Sequence, residues 1–348
     1  MSLKQKFEKL ILSKSSSYNY YKDQYEKHIL NNNDLDPSIE EEFNQIKKEF
    51  IEFKRTTDRQ MNTVHQLMKN LFIDYELNSP KDSLKYIQEL LDELLILIGR
   101  ISEKNNIEWW LNYGNLLGAV RHGYFVPWDD EVDIGMMRSD YLKFSKIIQS
   151  EFKNLGLDDI IKVAHKTHEL NGKVISGCLE VLVKSPILIE EGVDLNLGVL
   201  NIFPYDFVDE EDKKIIKKLY KESQNKFLDN LANGNDFDEC LEIYFKNLNV
   251  SFNETKYLVP GPDAMSYSNK LFILKTDKIF PLTDIAFGKN TFQCPNDVHY
   301  YLKAIYKDYL NMPRVISMKG HADQFRYFEN KHEIFHESIN RLKECNSN

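Results

Sequence analysis

Paired cysteines, long apolar runs and a surplus of basic residues are all missing from this 348-residue chain. The four cysteines, Cys178, Cys240, Cys294 and Cys345, are far apart and form no Cys-x-x-Cys pair. That spacing argues against a zinc ribbon or a redox dithiol and suits free thiols in a reducing compartment. The longest apolar stretch, Leu94 to Ile98, falls far short of the roughly 18–20 residues a membrane span requires. Charges follow directly on the first residues, with no signal-type apolar core, so a cytoplasmic location is expected. The sequons at Asn249 and Asn253 then carry no meaning. With a net charge of −9 and no basic stripe, nucleic acid is not an expected partner. An acidic enzyme that handles phosphates needs a cation, or a few local Arg and Lys.

What is present is an ordinary globular composition rich in aromatics, with 19 Tyr and 21 Phe, enough for a sizeable core. The first ~80 residues differ from the rest: they are polar, almost free of glycine and helical in period. Apolar positions at Phe43, Ile46, Phe50, Phe53, Met61, Val64, Met68 and Leu71 alternate in steps of four and three, with one slip near Thr57. This is a coiled-coil seam, and it fits either an oligomerisation arm or a long helix lying on its own catalytic body. We therefore divide the chain into a helical arm, 1–82, and a catalytic domain, 83–348. A second amphipathic helix is expected over 83–104, its wide apolar face running from Tyr86 and Ile87 through Leu90, Leu91, Leu94, Leu95 and Ile98 to Ile101. Beyond it the texture is α/β (α+β). Strands are expected at 108–112, 131–137, 177–184 and 197–203, and helices at 138–152, in a pair over 210–249, and at 297–309. Alternating strands and helices imply a mixed sheet with helices packed on it.

The chemistry concentrates in one block. The strand Glu131-Val132-Asp133-Ile134 follows Trp128-Asp129-Asp130. Alternation places Glu131 and Asp133 on one face, with Asp129 near them, and turns Val132 and Ile134 into the core. Two carboxylates ~6–7 Å apart repel by on the order of 2–3 kcal/mol at an effective dielectric of ~20. A divalent cation reverses the sign of that interaction, and oxygen ligands suit Mg²⁺ or Mn²⁺. An exposed acidic turn after Pro127 is the plainer alternative, but the apolar flanks argue that the segment enters the core. Upstream, Gly114 and Gly118 bracket a turn that opens a helix, whose N-terminus offers N–H groups to a phosphate. Arg121 and His122 follow and are candidates to neutralise a diphosphate. The nearby aromatics, Trp128 among them, read either as a cage for a quaternary ammonium or as plain core packing. His332 and His336, spaced i, i+4 on an expected C-terminal helix, lack a third ligand and read as solvated surface.

The run Tyr113-Gly114-Asn115-Leu116-Leu117-Gly118-Ala119-Val120-Arg121-His122, then Pro127-Trp128-Asp129-Asp130-Glu131-Val132-Asp133-Ile134-Gly135, resembles the LicD/fukutin-type phosphotransferases. The likeness continues at Leu200-Asn201-Ile202-Phe203-Pro204-Tyr205-Asp206 and, more faintly, to about Gln324. The resemblance implies a nucleotidyltransferase-like fold and transfer of a phospho-alcohol (phosphocholine, or glycerol or ribitol phosphate) from a CDP-linked donor. The acceptor would be a glycan or its lipid-linked precursor, with peripheral membrane association open and CMP released. It also implies that Gly114 and Asn115 form the glycine turn and that Glu131 and Asp133 are the metal carboxylates. The third carboxylate falls at Asn201, a neutral amide that can ligate but cannot act as a base. Asp206 or Asp194 is then a candidate substitute, and Asp206 or Asp129 a candidate base. Asp130 and His321 complete the expected substrate contacts. Two other readings stay open: a nucleotidyltransferase using an NTP, and a non-catalytic scaffold that keeps the fold.

Overall fold

The computed structural model describes residues 83–170, 172–264, 271–310, 328 and 331–347, together with positions 41, 48 and 52. The chain divides into two units, Met1–Phe72 and Ile73–Asn348. The coiled-coil seam of the arm, and His321, lie outside the described residues.

The second unit opens with α1, Ser83–Lys104. Its stripe Ile87, Leu90, Leu91, Leu94, Leu95, Ile98 and Ile101 is buried as the period requires. Next come β1 (Trp110–Leu111), α2 (Tyr113–His122), β2 (Glu131–Met137) and α3 (Arg138–Asn154). The strands β3 (Ile161–Leu170) and β4 (Lys173–Val183) follow, then the short α4 (Pro186–Glu190) and β5 (Gly198–Val208). A helical pair, α5 (Lys213–Ala232) and α6 (Phe237–Leu248), precedes β6 (Val250–Ser251), β7 (Tyr257–Pro260) and β8 (Leu274–Lys275). The chain closes with α7 (Thr276–Ile279), β9 (Thr283–Phe287), β10 (Asn290–Cys294), α8 (Val298–Tyr306) and α9 (Glu333–Ser347).

The strands form a mixed sheet in the order β1-β2-β5-β4-β3, with β6 and β7 also on β5 and β8 on β7. Among the described residues only β2 and β5 run parallel; the other pairs are antiparallel. β5 is the spine, because its first half pairs with β4 and its second half with β7. β9 and β10 form a separate hairpin. The expected α/β architecture, a mixed sheet with packed helices, is what the chain adopts. The expected 108–112 strand shortens to Trp110–Leu111, because Asn112 caps α2 instead of extending the strand. β3 was not anticipated. Past Ile161-Lys162-Val163 its residues run polar from His165 to Glu169 with no alternation, so the edge strand leaves little period to read.

The main core lies between the sheet and α1, α3, α8 and α9. A smaller core gathers Ile216, Tyr220, Phe227, Leu241 and Tyr244 of the helical pair over Val208 and Val259. α9 returns onto α1, burying Ile334, Phe335, Ile339 and Leu342. His336 is exposed, as expected of solvated surface, and His332 is half-buried; their rings lie 5.6 and 4.7 Å from that of Tyr86. Gly135 accommodates the indole of Trp110, since a Cβ there would stand 2.6 Å from the ring.

On the outer side of α1, Asp92 accepts from Asn290 at 3.3 Å and is hydrogen-bonded to Tyr124. Burial, opposed by these bonds and helped by Glu93 and Glu89, raises its pKa to about 6. A carboxyl held above its unfolded value contributes stability that is complete below about pH 4 and lost as pH rises through about 6. Asp92→Asn is therefore expected to raise the melting temperature at pH 7 and to flatten its decline between pH 4 and 7. Thermal melts across that range check this.

Candidate active site

Asn112 organises the approach to the acidic strand. Its backbone N–H donates to the Asp133 carbonyl at 2.9 Å, and its side-chain oxygen caps α2 by accepting from the Tyr113 N–H at 2.9 Å. The same oxygen accepts from the Tyr301 hydroxyl at 2.6 Å, so the start of α2 is fixed against β2 from within the core. Asn115 completes the clamp: its amide oxygen accepts from the Asp133 N–H at 2.5 Å, and its NH₂ donates to the Glu131 carbonyl at 3.3 Å. Asn115 is fully buried. It positions the strand, and the expected direct contact between its side chain and substrate is corrected accordingly.

The expected phosphate cradle needs a similar correction. The Asn115 and Leu116 N–H groups are spent on the Asn112 carbonyl. Gly114 makes room for Asp129, whose Oδ2 would lie 2.7 Å from an added Cβ. The positive end of α2 thus faces a carboxylate of the chain itself. Gly118 is a packing position, since a Cβ there would meet the backbone of Tyr124 and, at 2.7 Å, the Val126 nitrogen. Arg121 and His122 occupy the last turn of α2, about 10 Å along the axis from Gly114. They are not beside the carboxylates at the helix start. Burial lowers the pKa of His122 to about 4, helped by the charge of Arg121. Trp128 and Asp130 are half-buried on the loop that enters β2.

Register then assembles the cluster. Asp133 on β2 lies opposite Asn201 on β5, and Asn201 lies opposite Glu180 on β4. Residues paired across a sheet share a face, so all three project to the same side, with Glu131 two positions before Asp133. The Asn201 amide nitrogen donates to Glu131 Oε2 at 3.1 Å and to Asp133 Oδ1 at 3.0 Å. One nitrogen within hydrogen-bond reach of both holds these oxygens within about 6 Å of each other. From the β3 edge, Lys166 donates to the Asn201 carbonyl oxygen at 3.3 Å. Burial first, and the charge of Glu131 second, push the Asp133 carboxyl up to about 8. Burial also holds Asp129 well above the usual carboxylate range, reinforced by Asp133, Glu131 and Asp130.

A pocket of about 170 Å³ opens beside this cluster, lined in part by Asp130, Glu131, Lys166, Glu180, Val199 and Phe328. A larger groove of about 750 Å³ between α1 and the β9–β10 hairpin, lined in part by Arg100, Trp109 and Phe292, includes none of the clustered residues. Chemistry rather than volume marks the site. Lys166 and Glu180 were missed from the sequence. Neither belongs to a motif, and only the pairing of β3, β4 and β5 brings them to the acidic strand.

Two candidates leave the site altogether. Asp206 lies on the opposite face of β5 from Asn201 by strand alternation. Its carboxylate is closed on Arg138, with Oδ1 2.7 Å from Nε and Oδ2 3.1 Å from a terminal nitrogen. A fully buried carboxylate held by two charge-assisted bonds meets no substrate, so it is neither the base nor the third carboxylate. Asp194 is largely exposed and paired with Lys184.

The acidic strand offers hard oxygen donors of the kind a divalent cation takes, but not a full set of protein ligands. Among the described residues no three Asp, Glu, His or Cys side chains converge to hold a metal. Two carboxylates with the remaining positions left to substrate phosphates and water are a usual arrangement for Mg²⁺, and half-buried Glu131 with buried, mutually repelling Asp133 fits it.

Residues 106–175 match the family described as LicD/FKTN/FKRP, nucleotidyltransferase domain. The lipopolysaccharide cholinephosphotransferase LicD of Haemophilus influenzae is 24% identical over 261 residues, which cover 65% of this chain and 91% of that protein. An uncharacterized protein of Rickettsia typhi is 51% identical over 53 residues, 15% of this chain and 17% of its own length. Human ribitol 5-phosphate transferase FKRP is 45% identical over 40 residues, 12% of this chain and 8% of that protein. Apart from LicD, the chain therefore spans only a minor part of these relatives. α2, its cap and the acidic strand all lie inside the segment that matches the nucleotidyltransferase domain of the LicD/FKTN/FKRP family.

Proposed function

We propose that the protein is a metal-dependent phosphotransferase that moves a phospho-alcohol from a CDP-linked donor to a glycan, releasing CMP. The observation that carries this reading is the pair Glu131 and Asp133, pinned side by side by Asn112 and Asn115 at the start of α2. That geometry serves a diphosphate, because two fixed carboxylates are a ready site for the cation such a donor brings. LicD is named as a cholinephosphotransferase and FKRP as a ribitol 5-phosphate transferase, and both names describe this class of transfer.

Glu131 and Asp133 would hold Mg²⁺ or Mn²⁺, which when bound supplies charge stabilisation for the leaving CMP. The chain's own residues do the remainder. The hydrogen bonds of Asn115 to the backbone of Glu131 and Asp133 fix the strand that carries the carboxylates before substrate arrives, so little backbone reorganisation accompanies the reaction. Asp129, beside Gly114 and held above the ordinary carboxylate range, accepts the proton of the attacking glycan hydroxyl. That oxygen then displaces CMP from the distal phosphorus in line. Asp130, which lines the pocket, and Trp128 on the same loop contact the donor. Among the described residues no helix is long and apolar enough to cross a membrane. We place the reaction in the cytoplasm, at the membrane surface where the acceptor is lipid-linked.

The test supplies CDP-choline, CDP-glycerol, CDP-ribitol and, separately, nucleoside triphosphates, each with Mn²⁺ and a lipopolysaccharide or teichoic acid fraction. CMP release that requires both a CDP-alcohol and the glycan is expected. Pyrophosphate from a triphosphate would identify a nucleotidyltransferase instead. Tight Mn²⁺ binding with neither product would identify a non-catalytic scaffold.

A further inference from the structure

The position where the resemblance implies a third carboxylate holds Asn201, and its surroundings specify how that amide is turned. On one side stand Glu131 and Asp133, both within hydrogen-bond distance of the amide nitrogen. On the other stands Lys166, 3.3 Å from the amide oxygen. The two ends of an amide differ in sign, so the alternatives are unequal in energy. Turned the other way, the carbonyl oxygen would face two carboxylates and the NH₂ would face an ammonium. Both contacts would become repulsive. Asn201 is almost fully buried, which leaves little water to screen that cost.

To ligate a cation lying between Glu131 and Asp133, Asn201 must present its oxygen to the carboxylate side. That requires the unfavourable orientation while Lys166 is in place. We propose that Lys166 locks Asn201 with its donors toward Glu131 and Asp133, so that the divalent ion of this site is held by two side chains and not by three. Lys166 is in this sense a positioning residue for metal affinity, acting through Asn201. It sits at the irregularity in β3 between His165 and Thr167, and that strand has no part in the acidic motif. The consequence is a site that binds its ion weakly without substrate and relies on the donor's phosphate oxygens to complete the shell.

This inference rests on the proposed metal-dependent reading, and one experiment separates the two. Mn²⁺ binding is measured by calorimetry and by the paramagnetic resonance of free Mn²⁺ on four full-length proteins: wild type, Lys166→Met, Asn201→Ala, and the double variant. Circular dichroism confirms that each is folded. Removing Lys166 lets Asn201 turn and ligate, so Lys166→Met is expected to tighten Mn²⁺ binding by about tenfold over wild type. In the Asn201→Ala background the same change is expected to have at most about a twofold effect, because no amide remains to be released. Equal tightening in both backgrounds would show Lys166 acting only as a nearby charge, and would overturn the proposal. So would no tightening in either. If none of the four proteins binds Mn²⁺, the metal-dependent reading falls and this inference with it. If all four bind alike, only this inference fails.

Discussion

Asp133→Asn is expected to lower glycan-dependent CMP release on the order of 1,000-fold or more while leaving the fold intact or more stable. The two effects have separate causes. Transfer is lost because the substitution removes one of two carboxylates available to the cation, and Asn201 as oriented offers no oxygen in compensation. The fold survives because the contacts that anchor this strand use the Asp133 main chain: its N–H to Asn115 and its carbonyl to Asn112. A neutral amide also removes like-charge repulsion with Glu131, which two hydrogen bonds from Asn201 only partly offset. Parallel measurements of the transfer rate and the melting temperature check both halves. Wild-type turnover in this variant would sink the assignment of the acidic strand as the metal site. A collapsed fold would instead show that Asp133 has a structural role the hydrogen bonds do not reveal.

Arg138→Met is expected to be the most damaging single change to stability, at about 3–5 kcal/mol. Arg138 is the first residue of α3, yet its guanidinium is buried and bonded to two carboxylates. It meets Asp206 through Nε at 2.7 Å, and Asp263 through its terminal nitrogens at 2.9 and 2.7 Å. All three side chains are at most 2% exposed. The Arg138 carbon centre also lies 5.4 Å from the Tyr141 ring and 5.5 Å from the Phe245 ring. Removing the cation leaves two carboxylates buried together, and a typical domain has only about 5–15 kcal/mol to lose. Urea denaturation gives the magnitude. The triple variant Arg138→Met, Asp206→Asn, Asp263→Asn is expected to recover a large share of the loss, because no uncompensated charge then remains. If Arg138→Met alone melts as wild type does, the triad is not closed in solution as described.

The same triad shows where sequence reading stops. Asp206 follows the run Leu200-Asn201-Ile202-Phe203-Pro204-Tyr205, which resembles the family pattern, and an aspartate near an acidic strand is a natural choice for a base. Its odd spacing from Asn201 already implied the opposite face of an extended strand. Its partner Arg138, however, is 68 residues away in sequence, and no local rule connects the two. Lys166 was hidden for a related reason. An edge strand of mixed polarity has weak periodicity, so β3 went unrecognised and its lysine with it. Arg121 and His122 erred in another way: adjacency in sequence to Gly118 suggested adjacency to the carboxylates, but a helix carries residues away from its own start by about 1.5 Å each.

Whatever depends on neighbours along the chain was legible in the residues alone. α1 with its buried stripe, β2 over 131–137, and the shared face of Glu131 and Asp133 all follow from periods of 3.6 and 2 that a single segment displays. What faces those carboxylates was set by long-range pairing and packing. Register across β2, β5 and β4 brought Asn201 and Glu180 into line with Asp133. The β3 edge supplied Lys166, and packing of α2 spent its glycines on Asp129 and the loop backbone. Contacts between distant segments are chosen by the free energy of the whole core, and no window of sequence contains that sum.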